Sequence, residues 1–157
     1  MTTPIIELIS ENIKTAVNEI TVANSFNQTL TGYRPKRNDF KDVVPADLLV
    51  LIIQGDEEEV EETVSNGVSK EWRQPYLLMA LVIDSDAATT TYETRINQVK
   101  ADLIKKLMTD PSRGGYALDT IPRPGIKIPE NDYNWSGIVA NFDVYYRTKI
   151  NDPYTQI

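Results

Sequence analysis

The chain has 157 residues, 41% of them hydrophobic, and this length and composition suit one domain with its own core. It contains no cysteine and no histidine, which excludes disulfides, thiolate chemistry, and histidine as a general base or metal ligand. Its formal net charge of −7 argues against a free basic groove for nucleic acid, because phosphate binding depends on Lys and Arg.

The first predicted element is an amphipathic helix over residues 3–20. Thr3 is the expected N-cap, with Pro4 at the first helical position, where the missing N–H of proline costs nothing. The apolar residues recur at helical spacing and form one stripe: Ile5, Leu8, Ile9, Ile13, Ala16, Val17 and Ile20. The helix is therefore expected to pack on the core through this stripe.

The next segments predict two buried strands. Residues 22–32 favour a strand or hairpin arm, and a basic, turn-rich loop follows them. The apolar runs at 46–53 and 76–83 are typical of strands buried on both faces, and successive strands of this kind pair most simply as antiparallel neighbours. We expect four of their residues to be buried in adjacent strands: Leu51, Ile53, Leu78 and Leu81.

Between the two apolar runs lies the most acidic stretch of the chain, GDEEEVEE at residues 55–62. Six of the 23 acidic residues and none of the 16 Lys and Arg fall within residues 56–62, so the remainder of the chain is nearly neutral. This connection is too long for a tight hairpin turn, so we expect it to project.

The acidic stretch has three interpretations from its composition. A solubilising loop between two apolar strands is the simplest. Weak accumulation of Mg²⁺ or Ca²⁺ is a second, although the stretch lacks the ligand spacing of a calcium-binding loop, so no dedicated metal or cofactor is predicted. The third is that the negative field of the stretch acts on a charged molecule nearby. It would either attract that molecule or prevent it from adhering.

The second half of the chain predicts a helix and a closing strand. The helix runs from residue 90 to 110, with Thr90 and Glu93 as a capping box. Residues 112–132 are rich in Gly and Pro and predict at most a short strand. Residues 138–146 alternate apolar and polar side chains, as expected for a strand with one buried face.

These elements predict an α+β fold: a single antiparallel or mixed sheet of four to five strands with two helices packed on one face. Residues 1–150 form the single expected domain, and residues 151–157 form a flexible C-terminal tail. No apolar run has the length of a membrane span and no leader pattern is present. We therefore expect a soluble protein that stays in the cytoplasm or joins a soluble assembly.

Six segments carry a family resemblance when they are taken together. They are the opening helix, LTGYRPKR at 30–37, LLVLIIQGDEE at 48–58, YLLMALVID at 76–84 before the capped helix, MTDPSRGG at 108–115 and VYYRTKINDPY at 144–154. In this order the segments resemble the tail terminator (tail completion, minor tail) proteins of long-tailed phages and prophages. The resemblance covers nearly the whole chain and rests on these patterns rather than on an invariant motif.

The resemblance implies a non-enzymatic structural subunit that forms a closed homo-oligomeric ring, commonly of six copies. Such a ring caps the tail tube, ends its polymerisation and joins the tail to the head. The implied partners are the tail-tube protein and a head-completion protein, with DNA only in passage through the lumen and no membrane. The implied location is the host cytoplasm during assembly and then the virion tail, and no catalytic residue or cofactor is carried over.

Two candidate sites follow for a ring of this kind. Like charge on a channel wall keeps phosphates from adhering, so the candidate lumen-facing loop comprises Asp56, Glu57, Glu58, Glu59, Glu61 and Glu62. A head-to-tail ring needs two different, complementary patches on each subunit. The candidate subunit-interface residues are Arg34, Lys36, Arg37, Lys41 and Tyr154.

Two other functional classes stay open from the sequence. One is an acidic adapter or chaperone that binds a basic partner through the acidic stretch as a monomer. The other is a carboxylate-dependent hydrolase, which would need a cleft holding two acids with separated pKa values. The Gly-rich phosphate-binding, serine-hydrolase and zinc-protease motifs are absent from the chain.

Overall fold

The computed structural model describes residues 2–37, 39–60, 68–83, 90–128 and 135–157, with Trp135 described by its backbone only. Within these ranges the chain forms two α-helices, one short 3-10 helix (Val22–Asn24) and seven strands. The helices are α1 (Ile5–Asn18) and α2 (Tyr92–Thr109). The strands are β1 (Thr31–Tyr33), β2 (Leu49–Gln54), β3 (Glu58–Glu59), β4 (Ser69–Ile83), β5 (Asp119–Ile128), β6 (Trp135–Lys149) and β7 (Asp152–Gln156).

The strands form one mixed sheet in the order β1-β2-β4-β6-β5, with β3 added to β4 and β7 added to β6. β1 runs parallel to β2, and the other pairs are antiparallel. The predicted α+β class with a mixed sheet is confirmed, although the described part of the chain has more than the four to five strands expected. The additional strands are short pieces at the edges of the sheet, where few residues are needed to form a ladder.

Both helices pack on the same face of the sheet, as the sequence predicts. Side chains alternate between the two faces of a strand, so the even-numbered residues of β2, β4 and β6 point towards the helices. The core that results contains Ile9 and Ile13 of α1, Val99 and Leu103 of α2, Val50 and Ile52 of β2, Leu78 and Ala80 of β4, and Phe142 and Val144 of β6. No helix in the described ranges combines the length and the hydropathy that a bilayer crossing requires.

The two central strands lie where the apolar runs predict them. β2 and β4 are antiparallel neighbours, with Ile52 opposite Leu78. Leu78 is fully buried, and Leu51 and Leu81 are also buried, whereas Ile53 is only half-buried. Leu51, Ile53 and Leu81 point to the sheet face opposite the helices, so this second face is partly apolar as well.

The segment at 22–32, predicted to be a strand or hairpin arm, is mostly irregular, and only its last residues join β1. Two of its backbone N–H groups donate to a side chain rather than to the backbone of a neighbouring strand. The buried carboxylate of Asp102 on α2 accepts hydrogen bonds from the backbone N–H groups of Asn27 (2.9 Å) and Gln28 (3.0 Å). A polar anchor from a distant helix therefore replaces the strand pairing that local composition favours.

β5 is a ten-residue strand in the passage for which at most a short strand is predicted. Pro122 and Pro124 lower the strand propensity of this passage because they cannot donate to a ladder. Among the described residues β5 pairs with β6 alone, so it is an edge strand, where proline is tolerated on the side without a neighbour. The register also shifts between Arg123 and Ile126, which absorbs the irregular backbone.

Both predicted helix caps shift by one residue. The N-cap of α1 is Pro4 rather than Thr3, and no side chain caps this helix. The N-cap of α2 is Thr91 rather than Thr90, because the Thr91 hydroxyl accepts from the backbone N–H of Thr94 at 3.3 Å. Both helices nevertheless begin within two residues of the predicted positions.

Residues 151–157, predicted to be a flexible tail, contain the strand β7. It turns back on β6 directly after Lys149, which lies opposite Asp152. The Asp152 carboxylate accepts hydrogen bonds from the Thr155 hydroxyl (2.5 Å) and the Tyr154 backbone N–H (3.1 Å), which fix the start of β7. An aspartate that binds the backbone two residues later is typical of a tight turn.

The turn after α2 places an arginine in the core. Arg113 is 1% exposed and its Nη2 donates to the backbone carbonyl of Leu107, one of the last-turn carbonyls that a helix leaves unpaired. Burial lowers the pKa of Arg113, and the nearby Asp110 opposes that shift. The cation complements the negative end of the helix dipole and thereby closes α2.

Truncation of Leu78 tests the placement of the central strands. The fully buried Leu78 faces the helices, so Leu78→Ala is expected to lower the free energy of unfolding by about 2–5 kcal/mol through lost contacts and a residual cavity. Leu77→Ala, one residue away on the opposite face and half-buried, is the control and should cost clearly less. Urea unfolding measures both, and a cost for Leu78→Ala below about 1 kcal/mol would contradict this arrangement.

Candidate functional site

The acidic stretch continues the hairpin of β2 and β4 as a short strand. Glu58 and Glu59 form β3 and lie opposite Arg73 and Trp72 of β4. Glu58 comes four positions after Gln54, whereas their partners Arg73 and Tyr76 are three positions apart on β4, so the first strand carries one extra residue in a bulge. The predicted residues Glu61 and Glu62 lie outside the described residues.

The bulge is held by the buried side chain of Gln74. Pro75 has no N–H, so it accepts from the Gly55 N–H (2.9 Å) but cannot donate in return. The Gln74 side-chain amide supplies the missing donor and binds the Gly55 carbonyl at 2.6 Å. Its oxygen accepts from the amide of Gln54 at 3.2 Å. This set of contacts fixes the direction in which the acidic strand leaves β2.

Three of the four acids at 56–59 contact other side chains of the chain. Glu58 pairs with Arg73 at 2.7 Å and Glu59 pairs with Lys70 at 3.5 Å, both at the protein surface. Glu57 accepts a hydrogen bond from the Tyr146 hydroxyl. Asp56 is exposed and has no side-chain partner among the described residues. The acidic strand is therefore attached to β4 and β6 and only partly compensated in charge.

An ionic network extends from the acidic strand across the outer face of the sheet. The buried carboxylate of Asp143 on β6 accepts from the Nε of Arg123 at 2.8 Å and lies 3.5 Å from Arg73. Arg73 also binds Glu58, so β3, β4, β6 and β5 are linked through these charges. Because Asp143 binds it, the pKa of Arg123 is raised. The sequence reasoning did not identify this network, although the period-two placement of charges in EWRQ and NFDVYYR is a signal for it.

The remainder of the outer face is apolar. Leu77 and Met79 of β4, Ile53 of β2 and Val139 of β6 are half-buried side chains that point away from the helices. No helix among the described residues packs on this face. The face thus has an ionic half near the acidic strand and an apolar half towards the first residues of β2 and the last residues of β4. Such a mixture is common in protein interfaces.

The predicted interface cations lie in a folded loop beside β1 and β2. Arg34 is tied to α1 through Glu7 (2.6 Å) and Glu11 (2.5 Å). The hydrogen bond from Arg34 lowers the pKa of Glu7, and the same contact raises the pKa of Arg34. Lys41 pairs with Asp39 at 3.1 Å.

Two cations of this loop remain available to a partner. The side chains of Lys36 and Arg37 are exposed, and neither has a partner among the residues that the structure describes. The loop around them is closed by Asp42, whose carboxylate accepts from the Tyr33 hydroxyl (2.7 Å) and the Lys36 backbone N–H (2.8 Å). The contacts of Asp42 therefore hold the backbone of Lys36, next to the exposed side chain of Arg37.

Tyr154, the last predicted interface residue, lies apart from the basic loop. It is 47% exposed on β7, which pairs with β6, whereas the basic loop follows β1 on the far side of β2 and β4. The predicted interface residues therefore occupy two separate places on the subunit.

The described residues contain no group of three acidic side chains placed to hold a metal ion. Four carboxyl groups have shifted pKa values, and hydrogen bonds lower all four: Glu7, Asp42, Asp110 and Asp152. Comparison with models of known protein families gave no match, and comparison with curated protein sequences gave no significant match.

The contact between the acidic strand and β6 predicts how stability depends on pH. Burial, with the hydrogen bond to Glu57, raises the pKa of Tyr146 above its ordinary value of 10.0, and burial also raises the pKa of Tyr76. The native state then keeps protons that the unfolded state releases, so stability should fall as the pH rises above about 10.

Urea unfolding midpoints at pH 8 to 11 measure this dependence. Tyr146→Phe removes one of the three described tyrosines with a raised pKa, the others being Tyr76 and Tyr33, and should flatten the alkaline decline relative to the unmodified chain. An equally steep decline in the variant would contradict the assignment of this dependence to Tyr146.

Proposed function

We propose that this chain is a structural subunit that forms a ring on the phage tail tube, ends tail polymerisation and joins the tail to the head. The observation that carries the proposal is the one-sided packing of the sheet. Both helices cover one face, and the opposite face presents half-buried apolar side chains beside an ionic network. Such a face suits contact with a neighbouring subunit, and the sequence resemblance supplies the kind of assembly.

The distribution of charge supports a head-to-tail contact. A ring built by one repeated contact needs two different patches on each subunit. The basic loop with Lys36 and Arg37 lies beside β2, and Tyr154 lies on β7 beyond β6. Two separated patches meet this requirement, whereas one self-complementary patch would favour a closed dimer.

In this proposal the acidic strand faces the lumen, through which DNA passes. The Asp56 side chain has no partner among the described residues, and the Glu58 side chain is 61% exposed despite its pairing with Arg73. Several copies of the strand around a pore would repel phosphates over distances shorter than the ~8–10 Å Debye length. The pairing of Glu58 and Glu59 with cations reduces this field, so Asp56 and Glu57 contribute most to it among the described acids.

The two alternative functions have less support. An adapter would offer its acids to a basic partner, but Glu57, Glu58 and Glu59 are already engaged within the chain. A hydrolase of the carboxylate class needs a general acid with a raised pKa. Each resolved pKa shift of a carboxyl group in the described ranges is a lowering.

The capping activity can be tested with a polymerising tail-tube protein. The unmodified chain should yield tubes that end in a ring and stop growing, as seen by negative-stain electron microscopy. Met79→Lys places a charge on the apolar half of the outer face and should abolish rings while circular dichroism remains native. Met108→Lys, the same change at a 36%-exposed position on α2, is the matched control and should still cap tubes.

A chain that stays monomeric at millimolar concentration and fails to bind the tube protein would overturn the proposal. Capping by Met79→Lys at the level of the unmodified chain would show instead that the outer face is not the subunit contact.

The lumen assignment has its own test, because the Asp56 side chain makes no hydrogen bond or ion pair with the described residues. Asp56→Lys should leave folding and ring formation unchanged and slow or interrupt DNA ejection from particles that carry it. Glu93→Lys, the same charge change at an exposed position in the first turn of α2, is the control and should eject DNA normally. Failure of Asp56→Lys to form rings would place Asp56 in a subunit contact rather than in the lumen.

A further inference from the structure

A groove of about 320 Å³ lies between the basic loop and the outer edge of β2. Its walls combine cations, a proline and an aromatic ring on the loop side with strand backbone on the other. The lining residues are Arg34, Pro35, Arg37, Phe40, Ile52, Ile53 and Gln54.

The groove exists because β1 stops before β2 does. β1 pairs only with the first half of β2, ending with Tyr33 opposite Leu51. The next residue, Arg34, turns towards α1, and Pro35 has no N–H with which to continue a ladder. Within the described part of the chain, the last three residues of β2 therefore have no strand beside them on this edge.

The backbone of Gln54 is directed into this open edge. Gly55 donates its N–H to Pro75 on β4, and hydrogen-bonding direction alternates along an antiparallel strand. Gln54 therefore turns its N–H and carbonyl away from β4, towards the groove. An open strand edge of this kind is a template for an incoming strand.

The loop presents Phe40 to the groove in a costly conformation. Phe40 has φ of 54° and its side chain is 39% exposed. A positive φ is rare for a bulky residue, and conformations of this kind cluster at binding sites. Two hydrogen bonds hold it, from its own N–H to the Arg37 carbonyl (3.2 Å) and from the Val43 N–H to its carbonyl (2.9 Å). The fold thus maintains an exposed aromatic ring beside the open edge.

We propose that this groove binds an extended acidic segment of another protein as an added strand on β2. The edge of Gln54 supplies backbone hydrogen bonds, and Pro35 and Phe40 receive an apolar side chain of the segment. The Arg37 side chain, which has no partner among the described residues, receives a carboxylate of the segment. Backbone pairing gives affinity in this mode of recognition, and the side-chain contacts give specificity.

The charge of the groove favours a foreign segment over a second copy of this chain. In a second copy, the acids at 57–59 would be the candidates to enter the groove. Within each chain, however, they are already bound by Tyr146, Arg73 and Lys70. The inference concerns a surface apart from the acidic strand and holds whether or not the chain caps a tube.

Binding can be tested with a fluorescein-labelled, end-blocked heptapeptide of sequence SVDVEVS and the purified full-length chain. Fluorescence anisotropy should show saturable binding of this peptide and much weaker binding of the basic analogue SVKVKVS. Arg37→Glu should weaken binding on the order of tenfold or more, because it reverses the charge that faces the ligand. Lys127→Glu, the same charge change on the exposed surface of β5, is the matched control and should bind normally.

Hydrogen exchange distinguishes an added strand from a loose electrostatic contact. Bound SVDVEVS should protect the backbone amide of Gln54, and Arg37→Glu should abolish that protection at the same peptide concentration. The proposal is overturned if neither peptide binds, if both bind equally, or if binding leaves Gln54 unprotected. It is also overturned if the backbone amide of Gln54 is already protected in the concentrated chain without peptide, because a second copy would then occupy the open edge.

Discussion

The antiparallel pairing of β4 with β6 is the interaction on which the other elements depend. Fifteen residue pairs run in one register from Ser69 and Lys149 to Ile83 and Trp135. The strands approach so closely that a Cβ on Gly137 would lie 2.2 Å from the Ala80 carbonyl oxygen, so glycine is required there. β2 and β5 attach to the outer edges of this pair, and both helices pack on its even-numbered side chains.

The length of this pair also determines where the charges lie. At the end near Ser69 and Lys149, β3 joins β4 and β7 joins β6 as short strands. The acids of β3 then lie beside the cations of β4, and the Tyr146 hydroxyl reaches Glu57. A stretch that composition marks as purely repulsive is thus partly neutralised, because the ladder brings basic residues of a later segment next to it.

One-sided helix packing and an interrupted strand edge give the subunit two different kinds of surface. The outer face offers area, with apolar and ionic halves that suit a broad contact between subunits. The groove beside β2 selects the conformation of its ligand, because backbone groups at an open strand edge pair only with an extended chain. An assembly protein needs both, since broad contacts set the geometry of neighbours and edge contacts select which segment is accepted. The proposed roles assign one surface to each task.

The sequence by itself determined the elements whose signal is local. The periodicity of Ile5, Ile9 and Ile13 predicted α1, the apolar runs predicted β2 and half of β4, and together they indicated the α+β class with helices on one face. These signals survive because burial of one face acts within a single element. Charge counts likewise identified the basic loop and the acidic stretch as candidate sites.

Only the tertiary structure decided which of these segments meet. The prolines of β5 are tolerated because it is an edge strand, and edge position depends on the whole sheet. Asp102 withdraws residues 27 and 28 from strand pairing, and Tyr146 reaches Glu57 across 89 positions in the chain. Such partners are distant in sequence, so no local pattern contains them. The fold therefore converts a run of like charges into a paired strand, and a turn-rich basic loop into one wall of a groove.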